Sequence, residues 1–137
     1  TLPVDKDILV AGALLHDLGK IKELSGPIIA EYTVEGRLLG HISIMNAEIK
    51  EMADKLNIEG EIPLLLEHMI LSHHGEPEFG AAVKPICAES ELLSQIDMLD
   101  SRMEIYRETL AGLQVGEVSS RIFALDKRVF KPHELNG

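Results

Sequence analysis

The sequence is poor in cysteine and in positive charge, and each shortage excludes a class of protein. Among 137 residues there is one cysteine, Cys87, so an internal disulfide is excluded and the chain fits a reducing compartment such as the cytoplasm. Lysine and arginine number 13 against 23 aspartates and glutamates, which gives a formal net charge of -10. Because gripping a phosphate backbone needs basic residues, we do not expect this chain to hold a nucleic acid by itself.

Long apolar runs, internal repeats and linkers are also missing. The longest apolar runs are too short to span a bilayer and no signal peptide is visible, so we expect no membrane association. Hydrophobic residues make up 45% of the chain, and this length is sufficient for one core. We therefore predict a single domain over residues 1–137. Because the chain starts at Thr1, we expect an N-terminally truncated fragment of a larger protein.

Helical periodicity covers most of the chain and predicts an all-α fold, a bundle of four main helices. These helices are predicted at residues 5–18, 41–56, 63–74 and 86–113, with a short further helix at 118–123. The segment 20–40 is expected to be irregular apart from a short extended piece at 28–34, and the tail to residue 137 is also expected to be irregular. The first helix is apolar nearly all round, which predicts burial, and Gly19 is expected to stop it as a C′ residue.

Residue types that ligate metals lie at helix ends or beside apolar stripes. The candidates are His16, Asp17, His41, His73, His74 and Asp97. Taken singly, each has an ordinary alternative. The two adjacent pairs could be solvated helix ends, His41 could bond a carbonyl group, and Asp97 could pair with Arg102 or Lys127. His68 and His133 have no such setting, and we expect both to be structural or surface residues.

Taken together, the candidates predict a metal site. Inward-facing imidazoles and carboxylates from several helices are how metal sites are built in all-α bundles. A nitrogen and oxygen set without thiolate suits manganese, iron, nickel or magnesium better than a structural zinc. One aspartate that can bridge two ions is an ingredient of a binuclear site. We therefore expect a divalent metal, in a two-ion arrangement.

Two groups of sequence strings carry a family resemblance. The order His16-Asp17, His41, His73-His74 and Asp97 resembles the HD-domain superfamily of metal-dependent phosphohydrolases. The string Leu-His-Asp-Leu-Gly-Lys-Ile at residues 15–21 resembles one branch of it, the C-terminal HD domain of YhaM-type 3′→5′ exoribonucleases, and so do the strings at residues 35–41, 72–76 with 78–80, and 89–102. The chain lacks the Gly-Tyr-Pro signature of the cyclic-di-GMP branch.

The resemblance implies a metal-dependent phosphodiesterase, the catalytic HD domain of a 3′→5′ exoribonuclease that uses a metal-activated water. It implies one ion held by His16, Asp17 and Asp97. It implies a second ion held by Asp17, His41 and His73. Lys20 would neutralise a phosphate oxygen, and His74 would contact phosphate or protonate the leaving oxygen.

The chain departs from the family pattern in two ways. The family pattern begins with a further histidine on an earlier helix, so one metal position is expected to be short of a ligand. The nuclease branch also carries an upstream nucleic-acid-binding domain, which we expect to hold the RNA.

Two alternative functions stay open. They are an HD hydrolase of nucleotides or dinucleotides and a non-catalytic regulatory module. A homo-oligomer is also left open.

Overall fold

The computed structural model describes residues 1–26 and 28–133, and the chain divides into two compact units, Thr1–Ile96 and Asp97–Gly137. The predicted all-α class is confirmed. The helices are α1 Lys6–Leu15, α2 Lys20–Glu23, α3 Val34–Leu56, α4 Glu61–Ser72 and α5 Ala88–Ala111. Strands β1 Leu24–Ser25 and β2 Glu31–Tyr32 form a short antiparallel pair, and the two 3₁₀ turns are Pro77–Phe79 and Phe123–Leu125. No helix in the described ranges is long and apolar enough to cross a membrane.

Helix α1 begins at a side-chain cap and ends one turn earlier than the periodicity predicts. The carboxylate of Asp5 accepts hydrogen bonds from the backbone N–H groups of Asp7 and Ile8, at 2.9 and 3.1 Å, as expected of an N-cap. The helix ends at Leu15, and the chain then turns directly into α2. Because that turn is right-handed, Gly19 has φ -58° and ψ -22°, and the prediction that it stops the helix as a left-handed C′ residue is wrong.

Helix α1 packs through one side only. A Cβ atom added to Gly12 would lie 2.2 Å from the terminal methyl of Met69 on α4, so the two helices approach closely at this glycine. Val10 and Leu14 are 48% and 73% exposed in this structure. The prediction that the helix is buried nearly all round is therefore wrong, because its contact with α4 covers only the Gly12 side.

Helix α3 consists of two segments that meet at Gly40, whose φ of 71° and ψ of 157° are not helical. The second segment is the predicted helix at 41–56. The first segment, residues 34–39, was predicted to be irregular, but the hydroxyl of Thr33 accepts a hydrogen bond from the N–H of Gly36 at 2.8 Å and caps it. The predicted extended piece at 28–34 is reduced to Glu31–Tyr32 because α3 already begins at Val34.

The core of the first unit lies between α3 and α4. Met45, Ile49 and Ile70 are buried together. Leu15, from the end of α1, and Leu66 pack against them. The helix ends that carry the candidate ligands are thus fixed beside the core.

The second unit contains the rest of α5 and a short irregular hairpin. Val118 and Phe130 form one antiparallel bridge, and Ile122 and Lys127 form another. The prediction of a helix at 118–123 is therefore wrong, because β-branched residues of this segment pair across the hairpin instead of bonding along it. The last residues of the predicted irregular tail, 134–137, lie outside the described residues.

Candidate metal centre

The first unit brings five of the candidate residues into one cluster. The ligand atoms of His41, His73 and His74 lie within 4.8 Å of one another. Asp17 stands beside them, with its Oδ1 atom 3.7 Å from Nε2 of His41 and 3.9 Å from Nε2 of His73. Its other oxygen, Oδ2, lies 3.5 Å from Nε2 of His16. The two carboxylate oxygens of Asp17 therefore face different histidines.

These separations fit a divalent ion shared between ligands. They exceed hydrogen-bond length, yet an ion with bonds of about 2.1 Å can contact two ligand atoms up to about 4.2 Å apart. Oδ1 of Asp17 and Nε2 of His41 are buried and make no hydrogen bond within the described part of the chain. Since buried polar atoms are normally paired, a cation suits both atoms.

Two of the histidines are oriented by backbone carbonyl groups. Nδ1 of His16 donates to the carbonyl oxygen of Ala13 at 2.8 Å, and Nδ1 of His73 donates to that of Ile70 at 2.7 Å. A carbonyl oxygen only accepts hydrogen bonds, so in both rings Nδ1 carries the proton. When these rings are neutral, the Nε2 atoms that face Asp17 are the unprotonated nitrogens, the form that binds a metal.

His41 is oriented by a carboxylate that the sequence reasoning missed. Its backbone N–H donates to Oε1 of Glu23 at 3.1 Å, and its Nδ1 atom lies 3.3 Å from Oε2 of the same group. Glu23 and His41 are 18 positions apart in the chain, and Glu23 lies in a segment that was predicted to be irregular. The one signal in the sequence is Gly40, a helix breaker directly before His41, which marks a helix start whose N–H needs an acceptor.

Asp17 carries a neighbouring positive charge. Nζ of Lys20 lies 2.7 Å from Oδ2 of Asp17, and the lysine side chain is 46% exposed at the rim of the cluster. Burial alone would raise the pKa of Asp17, but the hydrogen bond from Lys20 and the charges of His16, Lys20 and His73 outweigh it and leave the pKa below its ordinary value. Asp17 is therefore a carboxylate at neutral pH, as a metal ligand must be.

Two further residues considered in the sequence are Asp97 and His68. Asp97, on α5, is the first residue of the second unit, and its role as a ligand stays a prediction. His68 has structural contacts, since its Nε2 accepts the N–H of Ile86 at 3.1 Å and lies 3.2 Å from the hydroxyl of Ser90.

Comparison with known proteins agrees with the motif strings. The chain is 52% identical over 127 residues to the 3'-5' exoribonuclease YhaM of Bacillus licheniformis and 50% identical over 127 residues to the 3'-5' exoribonuclease YhaM of Bacillus subtilis. Each alignment covers 93% of this chain and 40% of the relative, so the chain spans about two fifths of the length of these relatives. No solved structure matches the chain.

The model of the HD domain family matches residues 1–102. The matched region contains both groups of strings on which the resemblance depends, from His16-Asp17 to the start of α5. It covers well over half of the chain, which therefore belongs to the HD domain family.

Proposed function

We propose that the chain is the catalytic HD domain of a 3′→5′ exoribonuclease and that it hydrolyses phosphodiester bonds with a divalent metal. The observation that carries the proposal is the position of Asp17, an ionised carboxylate within 3.9 Å of Nε2 atoms of three histidines. The names of the two relatives supply the substrate class. Because the chain covers 40% of each relative, the activity of the whole protein is part of the proposal.

The two oxygens of Asp17 support a two-ion site. Oδ2 faces His16, and we assign that side to the first ion, with Asp97 as a further ligand expected from the sequence. Oδ1 faces His41 and His73, and we assign that side to the second ion. The ion is manganese, iron, nickel or magnesium, the metals that suit a nitrogen and oxygen ligand set.

His74 has two roles open to it at this site. Its ligand atom lies within 4.8 Å of those of His41 and His73, so we place it with the ligands of the second ion. The alternative is the role expected from the resemblance, in which His74 contacts phosphate or protonates the leaving oxygen. A ligand role predicts that replacing His74 reduces metal content, whereas a substrate role leaves metal content unchanged.

We assign contact with the substrate to Lys20 and to a separate domain. A divalent ion held by these residues would lower the pKa of water and withdraw electrons from a phosphate. Lys20 places an ammonium group beside Asp17, where it neutralises a non-bridging phosphate oxygen as negative charge develops. Since the net charge of the chain is -10, we propose that a separate upstream domain holds the RNA. We also propose a cytoplasmic protein, and self-association stays open.

The proposal is tested with Asp17→Asn, which removes the charge and keeps the shape. We expect the chain to bind Mn²⁺ in isothermal titration calorimetry and to hydrolyse bis-p-nitrophenyl phosphate slowly, and, when linked to the proposed upstream RNA-binding domain, to shorten a 5′-labelled RNA from its 3′ end. The variant should lose Mn²⁺ binding and activity, whereas Asp54→Asn, an exposed aspartate of α3, should retain both.

The outcomes separate the proposal from its rivals. A wild-type chain that binds no divalent ion would indicate a regulatory module. Hydrolysis of mononucleotides without shortening of RNA would indicate a nucleotide hydrolase. Full Mn²⁺ binding by Asp17→Asn would remove Asp17 from the site and contradict the proposal directly.

A further inference from the structure

Glu23 has a largely buried carboxylate that contacts His41 twice. Its side chain is 12% exposed. Oε1 accepts the backbone N–H of His41 at 3.1 Å, and the ring atom Nδ1 of His41 lies 3.4 Å from Oε1 and 3.3 Å from Oε2. One carboxylate therefore binds both the backbone and the ring of a single residue.

The backbone of Glu23 is itself fixed against the start of α3. Its carbonyl oxygen accepts the N–H of Thr33 at 2.9 Å and the hydroxyl of Thr33 at 3.2 Å. A Cβ atom added to Gly36 would lie 2.3 Å from the same oxygen, so only glycine lets α3 approach this closely. The carboxylate is thus held in place by packing and hydrogen bonds within the protein.

The break at Gly40 explains why His41 needs this carboxylate. With Gly40 at φ 71°, the helix restarts at His41, and the N–H groups of its first turn lack intrahelical acceptors. An acidic group beside a helix N-terminus is favourable because of the helix dipole. Glu23 supplies that group from another element.

The ring contact determines which nitrogen of His41 faces Asp17. A carboxylate only accepts hydrogen bonds, so a hydrogen bond between Nδ1 and Glu23 requires the proton on Nδ1. The lone pair is then on Nε2, the atom that lies 3.7 Å from Oδ1 of Asp17. Carboxylates commonly orient metal-binding histidines in this way, and removing such a partner typically costs about 10–100-fold in metal affinity.

We propose that Glu23 is a positioning residue that holds His41 in the Nδ1-protonated form and in the orientation that ligates the second ion. The proposal rests on the function proposed above, since it assumes that His41 is a ligand. It adds a residue outside the ligand set, and it gives α2 a part in the site.

The test compares Glu23→Ala and Glu23→Gln with Glu48→Gln. Alanine removes both hydrogen bonds, whereas the amide oxygen of glutamine still accepts one. Glu48 pairs with Lys22 and makes no hydrogen bond or ion pair with His41 in the described part of the chain, so its replacement changes the net charge equally and leaves the ring partner intact. It is the matched control for long-range electrostatics.

Two readouts are measured on the 137-residue chain. Long-range ¹H–¹⁵N spectra of the metal-free protein at alkaline pH report the tautomer of His41, with the signal assigned from His41→Gln. We expect the Nδ1-protonated form in the wild type and in Glu23→Gln, and a shift toward the Nε2-protonated form in Glu23→Ala. Titration calorimetry should show Mn²⁺ affinity about 10–100-fold weaker in Glu23→Ala, an intermediate loss in Glu23→Gln, and no change in Glu48→Gln.

An unchanged His41 tautomer together with unchanged Mn²⁺ affinity in Glu23→Ala would overturn the proposal. If the wild type binds no Mn²⁺, the proposed function fails, and the tautomer comparison still decides the role of Glu23. Should Glu23→Ala not fold, Glu23→Asp withdraws the carboxylate by one methylene. Wild-type tautomer and affinity in that variant would likewise overturn the role.

Discussion

Gly19→Ala is the substitution whose effect on the metal centre follows most directly from the structure. A Cβ atom at Gly19 would lie 2.2 Å from the carbonyl oxygen of His41, 3.0 Å from its carbonyl carbon and 3.1 Å from Cβ of Met45. None of these is the far end of a flexible side chain, so no rotamer change relieves the contact. The turn that carries Gly19 must instead move away from α3.

The size of that movement follows from the contact distances. Restoring an ordinary contact of 3.4 Å from 2.2 Å needs a separation of about 1 Å. Forced packing changes of this kind typically cost about 1–3 kcal/mol of stability. The distance from Oδ1 of Asp17 to Nε2 of His41 is 3.7 Å, and a further 1 Å or so would exceed the reach of about 4.2 Å for one shared ion.

We therefore expect Gly19→Ala to lower the free energy of unfolding. We also expect it to weaken Mn²⁺ binding by at least about tenfold, which is the lower end of the range for disturbed ligand orientation. Urea unfolding of the metal-free chain measures the first effect and titration calorimetry the second. The matched control is Gly112→Ala, where the nearest atom to an added Cβ is 3.7 Å away. Wild-type stability and Mn²⁺ affinity in Gly19→Ala would refute the reasoning.

Two further predictions concern Lys20 and His68. Lys20→Ala should lower kcat by about 10²–10³ while metal content is unchanged, because an electrostatic contact to the phosphate is lost. Lys22→Ala, which breaks a pair with Glu48, should have no such effect, and an unaltered kcat in Lys20→Ala would remove Lys20 from the mechanism. Burial lowers the pKa of His68 below its ordinary 6.5. The neutral ring therefore stabilises the folded chain above pH 6.5, and this stability is lost as the pH falls through the lower pKa of the folded state. His68→Gln should reduce the change of the free energy of unfolding with pH in this range, as measured by urea unfolding. An identical slope in the variant and the wild type would contradict this role of His68.

The parts of the fold that the sequence predicts are those governed by local pattern. The helix at 41–56 follows from apolar residues at helical spacing, and Asp5 is recognisable as a cap because N-capping acts over two or three residues. Likewise, the positions of His16 and His73 at the ends of α1 and α4 follow from the limits of the apolar stripes. In each case the determining contacts lie within a few residues of one another.

The parts that the sequence does not predict depend on contacts between distant residues. The helical segment at 34–39 contains no apolar stripe long enough to identify it, and it forms on a cap from Thr33. The reason for glycine at position 19 is the carbonyl oxygen of His41, 22 positions away in the chain, and not a left-handed backbone. The pairing of Glu23 with His41 is of the same kind, because it exists only once α2 is packed against α3.

These distant contacts have one consequence for the metal centre. Residues 16–23 include the pair His16-Asp17, Lys20, the closely packed Gly19 and the carboxylate of Glu23. Two glycine contacts, Gly19 to His41 and Gly36 to Glu23, fix this segment on α3. The folding of the protein therefore orients the side chains that we propose as metal ligands, and we expect an ion to bind without reordering the backbone. An ion that binds only the folded chain raises its stability by RT ln(1 + [L]/Kd). Variants that loosen this segment should thus lose both metal-free stability and the stabilisation by Mn²⁺. Variants of the ligands alone should lose only the stabilisation by Mn²⁺.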